Sequence, residues 1–121
     1  MRRSNFEKLV RTSLEALPKE FLHRIDNVDV LVRRWPTPSQ LAATDAEPGE
    51  TLLGIYEGIP LTERASYNMV PPDTITIFQG PIEAFCATPE ETVEQVRQTV
   101  IHELAHHFGI TDDQLHAWGI G

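Results

Sequence analysis

His102 and His106 stand four residues apart, and Glu103 directly follows the first. They open the string His102-Glu103-Leu104-Ala105-His106-His107-Phe108-Gly109-Ile110-Thr111-Asp112. On an α-helix, four residues turn the chain through about 400°, so both imidazoles leave one face, one turn apart. Rings so placed can reach one zinc ion at ~2.0–2.1 Å. Glu103 sits where its longer side chain can approach a metal-held water, the place of a general base in metal-assisted hydrolysis. A catalytic zinc site takes three protein ligands and one water. If the helix ran on, Asp112 would lie ~9 Å further along the axis and on another face. Gly109 lets the helix end and the chain fold back, which makes Asp112 a candidate third ligand. Asp112 is also accounted for as the first-turn acid of a helix capped by Thr111. Asp113 and His116 stand as alternatives. The plainer reading of the whole string is a pair of surface histidines with a solvated acid between them.

The elements that must hold this string are legible around it. Thr88 can cap a helix, Pro89 suits its first position, and Glu91 completes a capping box. Val93, Val96, Val100, Leu104 and Phe108 give that helix an apolar stripe, and Gly109 stops it. Thr111 and Gln114 make a further capping box, opening a closing helix over Asp112–Trp118. At the other end of the chain, Ser4 and Glu7 have capping-box spacing ahead of a stripe of Phe6, Leu9, Val10, Leu14 and Leu17. Pro18 ends that helix, and a short helix or turn follows over Lys19–Ile25. Strand patterns occur at Val28–Arg33, Leu52–Glu57 and Asp73–Phe78. One of the latter two is expected to give an edge beside the motif helix, against which an extended peptide could pair. Residues 35–50, with Pro36, Pro38, Pro48 and Gly49, read as a long loop. Helix, strands and helix in this order predict an α+β fold.

Composition bounds the rest. The 121 residues suit a single domain over 1–121, and a hydrophobic content of 40% is enough for one core. Net charge is −8, which disfavours nucleic acid as a partner. Cys86 is the one cysteine, so neither an internal disulfide nor a multi-cysteine zinc cage can form. No apolar run approaches the ~20 residues of a membrane span, and no secretory leader is read at the start. The expectation is a cytoplasmic protein with no membrane association.

The pattern His-Glu-x-x-His-x-x-Gly-x-x-Asp resembles that of the zincin metallopeptidases, particularly those taking a third ligand after a glycine turn. Chain length, acidic balance and the late position of the motif make the sequence similar to the small bacterial zincin-like family of minimal metallopeptidases. Gly54-Ile-Tyr-Glu-Gly-Ile-Pro-Leu-Thr-Glu-Arg64 and Ile75-Thr-Ile-Phe78 extend the resemblance over most of residues 52–115. It implies a small mixed β-sheet packed against an N-terminal helix and the metal-binding active-site helix. It also implies a Zn2+-dependent peptidase acting on a peptide or protein substrate, with His102, His106 and Asp112 on the metal and Glu103 as general base. Two features depart from the larger metzincins. No Met stands among residues 113–121 to build their Met-turn, and no second lobe is present to deepen a cleft.

Other readings stand beside this one. A zinc-stabilised adaptor could hold an extended strand without cleaving it, although a purely structural site needs no acid beside its ligand. A metal-dependent ribonuclease has a similar string but expects His where this chain does not have it. Tyr56 and Tyr67 are candidate oxyanion donors, and Arg64 could bind a substrate carboxylate. Half-buried aromatics and a structural ion pair are the simpler accounts of these residues. His107 reads as a helix-end histidine, His23 has no partner pattern, and Cys86 reads as an inert thiol.

Overall fold

A computed structural model describes residues 1–43, 52–58 and 72–120. Arg64, Tyr67 and the turn expected after Gly58 lie outside the described residues. The chain forms α1 (Arg3–Glu15), α2 (Lys19–Leu22), a 3-10 turn (Ile25–Asn27), β1 (Val28–Arg33) and α3 (Pro38–Ala42). Then follow β2 (Gly54–Glu57), β3 (Asp73–Phe78), α4 (Gln79–Phe85), α5 (Pro89–His107) and α6 (Asp112–Ala117). The strands make one mixed sheet in the order β1-β3-β2. β1 runs parallel to β3, with Val28 opposite Asp73. β2 runs antiparallel to β3, with Gly54 opposite Ile77. This is the α+β arrangement expected from the sequence, with α1 and α5 packed together and α5 also touching β2 and β3.

The core explains why the elements lie where they do. Phe6, Val10 and Leu17 from the N-terminal segment meet Val96, Val100, Ile101 and Leu104 of α5. Ile75 and Ile77 of the central strand close the same cluster. Ser13, fully buried in α1, lies 2.9 Å from the carbonyl of Leu9 and 2.9 Å from that of Val93. Its hydroxyl therefore has acceptors on both helices, satisfying a polar group that burial would otherwise penalise. Among the described residues, no helix is long and apolar enough to cross a membrane.

Several local expectations need correction. Ser4 does not cap α1: the helix starts at Arg3, and its N-cap Arg2 makes no side-chain cap bond. The segment after Pro18 is a single turn of helix and then a separate 3-10 turn, not one element to Ile25. The stretch read as a loop from Trp35 contains α3, opened by a capping box between Thr37 and Gln40. α4 has no counterpart among the sequence expectations, because Gly80 and Pro81 break any helical pattern. Pro81 falls in the first turn, where the missing N–H costs nothing, and residues 79–82 are all buried, leaving no amphipathic period. Thr88 does cap α5 through the Glu91 N–H, but the Glu91 carboxylate turns to the N–H of Ala87 instead of closing the box. Phe108 is not part of the buried stripe: it is the C-cap of α5 and 41% exposed.

Candidate metal centre and active site

α5 delivers the motif as the spacing requires. His102 and His106 lie on its exposed face, with ring centroids 6.4 Å apart. Leu104 and Ala105, between them in sequence, are buried on the opposite side. The helix ends at His107, and Gly109 takes φ +68°, a left-handed conformation that any Cβ would strain. The N–H of Ile110 then returns to the carbonyl of Ala105 at 2.8 Å, closing the helix end. Thr111 caps α6 with the full box to Gln114 that the sequence predicts.

Glu103 is half-buried and points at the sheet. Its carboxyl pKa is raised, first by burial. His102, a hydrogen bond from the Tyr56 backbone N–H and His106 pull the other way. That N–H is available because of the strand register. The N–H of Phe78 donates to the carbonyl of Leu53 at 2.9 Å, which makes Leu53 and Phe78 a bonded pair. By antiparallel alternation, the backbone groups of Gly54 and Tyr56 then face away from β3. Among the described residues β2 is an edge strand, so one of the two strands proposed for that role occupies it, while β3 is central.

A cleft of about 390 Å³ runs between β2 and α5, and Leu52, Gly54, Gln95, Gln98, His102 and Glu103 are among its walls. A second hollow of about 290 Å³ lies on the other side of His102. Asp112 and His116 of α6 line it together with His102, whereas Asp113 does not. The structure thus places His102 and His106 on one helix face, and Asp112 and His116 border the same hollow as His102. Among the described residues, no three His, Cys, Asp or Glu side chains form a group that could enclose an ion. The donor chemistry nevertheless suits zinc: two imidazoles one helical turn apart, and a carboxylate on the element that folds back towards them.

The remaining candidates resolve into structural roles. The Tyr56 hydroxyl donates to Asp73 Oδ2 at 2.6 Å, so its proton is engaged away from the cleft. The Tyr56 ring stacks on His107, with centroids 3.9 Å apart. Phe108 packs edge-on to His107, and Arg24 lies over the Phe108 ring at 5.0 Å. His107 is therefore a helix-end residue gripping β2. Burial raises the Cys86 thiol pKa, outweighing a hydrogen bond to Thr92, as befits an unreactive cysteine. His23 is the exposed C-cap of α2.

Sequence reasoning did not single out Gln95, Gln98 and Thr99, which line the cleft. A signal was there: Gln95, Thr99, His102 and His106 recur at spacings of four, three and four, a polar face of α5 opposite its apolar stripe. The Tyr56–Asp73 bond had no local signal, since strand register alone joins these residues.

A His-Glu-x-x-His helix laid on a small mixed sheet, its end turned back by a glycine, defines a zincin-like domain. The chain belongs to the zincin-like metallopeptidase family, whose profile matches residues 25–120. Among solved structures it is similar to a conserved hypothetical protein from Thermo thermophilus. The TM-score is 0.53 at 22% identity, over 89% of this chain and 94% of that one, a likeness of fold. No curated protein matches the sequence.

Proposed function

We propose that the protein is a zinc-dependent peptidase in which Glu103 is the general base. The observation that carries this reading is the placement of Glu103. It adjoins the paired imidazoles, is held by the outward N–H of an edge strand, and lines a cleft beside that strand. His102, His106 and Asp112 would hold the metal, which when bound polarises a carbonyl and acidifies water. Glu103 accepts a proton from the attacking water and returns it to the departing amine. The edge of β2 orients an extended peptide by backbone pairing, while Gln95, Gln98 and Thr99 form the facing wall. An adaptor that held zinc only for stability would not need the acid beside its ligand to line a cleft.

Glu103→Gln keeps the shape and the hydrogen-bond acceptor but cannot take the proton. The variant is expected to match the parent in zinc content by elemental analysis. Its hydrolysis of a peptide library should fall by about 10²–10⁴-fold. Parent-level hydrolysis by the variant would remove Glu103 from the chemistry.

A further inference from the structure

The charge of this chain is segregated along its length. Residues 1–34 hold eight of the ten Lys and Arg but only five of the eighteen Asp and Glu, a net of +3. The remainder therefore carries −11. The fold gathers part of this positive excess at one groove. α1 rests on α5 and has little contact with β1, and a groove of about 320 Å³ lies between α1 and β1. Val10 and Leu14 of α1 and Val30 and Val32 of β1 give it apolar walls. Arg3 and Arg11 line it from the helix and Arg33 from the strand, all three exposed, with Glu7 the one acid among them. None of these residues lines either hollow at His102.

The groove has the shape and spacing of a peptide site. β1 is the other edge of the sheet among the described residues. Arg33 Nη1 donates to the Val32 carbonyl at 3.0 Å, so its guanidinium covers one backbone acceptor of this edge and must leave it when a strand is added. Arg3 and Arg11 are eight residues apart on one helix, about 12 Å along its axis. In an extended chain, residues i and i+4 share a face and lie about 13 Å apart. On a strand laid along α1, two acidic side chains four residues apart match the spacing of the two helix arginines. An apolar side chain at i+2, on the same face between the two acids, would reach the groove walls.

We propose that the groove between α1 and β1 binds an extended acidic segment of a partner protein, added alongside β1, with carboxylates at i and i+4 on Arg3 and Arg11. Arg33 meets a third acid at the strand end. The apolar walls favour a peptide over a polynucleotide.

The test is fluorescence anisotropy with the labelled peptide Thr-Asp-Thr-Val-Thr-Asp-Thr, whose acids are four apart with the valine between them on the same face. The parent protein should bind it, and more weakly as salt rises. Arg3→Glu/Arg11→Glu should weaken binding by about tenfold or more, with an unchanged circular dichroism spectrum. Arg33→Glu provides an independent variant on the other wall and should also weaken it. Methylating alternate backbone amides of the peptide should abolish binding, because strand addition needs those N–H groups. The proposal is overturned if the parent fails to bind, if both arginine variants bind like the parent, or if the methylated or Lys-substituted peptide binds equally well. Displacement of the peptide by a single-stranded oligonucleotide would assign the surface to nucleic acid instead. A dimer in sedimentation that the double variant dissolves would assign it to a second copy. None of these readouts depends on peptidase activity or on zinc.

Discussion

Glu103 carries a charge that its surroundings disfavour. Burial is the leading cause of its raised pKa, and neither the Tyr56 N–H nor the neighbouring histidines fully offset it. A carboxyl whose folded pKa exceeds its unfolded value binds its proton more tightly in the native state. Its contribution to stability is thus fully present below the ordinary value of 4.5 and is lost as pH rises through the folded value. At neutral pH the metal-free protein keeps the ionised carboxylate at a cost. Glu103→Gln removes that cost while preserving an acceptor for Tyr56. In metal-free protein the variant should therefore melt higher than the parent at pH 7, and the difference should vanish below about pH 4. Thermal melts of the two proteins across this range are the measurement. A variant less stable than the parent at pH 7 would mean that the hydrogen bond, and not desolvation, governs the site.

At the scale of elements, the site depends on how closely β2 approaches α5. A Cβ on Gly54 would sit 2.7 Å from Thr99 Cγ2 and 3.1 Å from the Thr76 carbonyl oxygen. The strand can lie against the helix there only because residue 54 has no side chain. Gly54→Ala should destabilise by about 1–3 kcal/mol, the usual range for overpacking. Thr99→Ser removes the nearer obstacle, so the double variant should recover part of that loss, a coupling that denaturant titration of the four proteins can read. Additive losses would place the strain at the Thr76 carbonyl instead. This contact also marks the limit of what sequence can say. α5 is legible because Thr88, Pro89, a stripe at helical period and Gly109 all agree. The edge strand is legible as a pattern, and the motif residues by their spacing alone. α4 is not, since burial on every side erases periodicity. The Gly54–Thr99 approach and the Tyr56–Asp73 bond are not either, because each joins residues distant in sequence through sheet register and helix packing.

Across the whole molecule, the motif joins two segments of unequal anchorage. α5 is sunk in the core through Val96, Val100 and Leu104, all fully buried. α6 has no buried residue of its own and is held by half-buried Leu115 and by Ile120 just beyond it. If His102 and His106 share zinc with Asp112, the ion ties the weakly held closing helix to the strongly held one. Such a tie stabilises the native state by mass action, by about 2.7 kcal/mol when free zinc is a hundredfold above its dissociation constant. The gain should be local as well as global, because the end held least has most to gain. Adding zinc to chelator-treated protein should therefore slow amide exchange over residues 112–118 far more than over β1. Asp112→Ala should lose that protection and most of the zinc affinity, whereas Asp113→Ala should keep both, since its side chain does not line the hollow beside His102. His116 faces the same hollow as Asp112, so it is the substitution that separates the alternatives. Should His116→Ala strip the metal while Asp112→Ala retains it, the third donor is the histidine, and the tie runs through the last turn of α6 instead of the first.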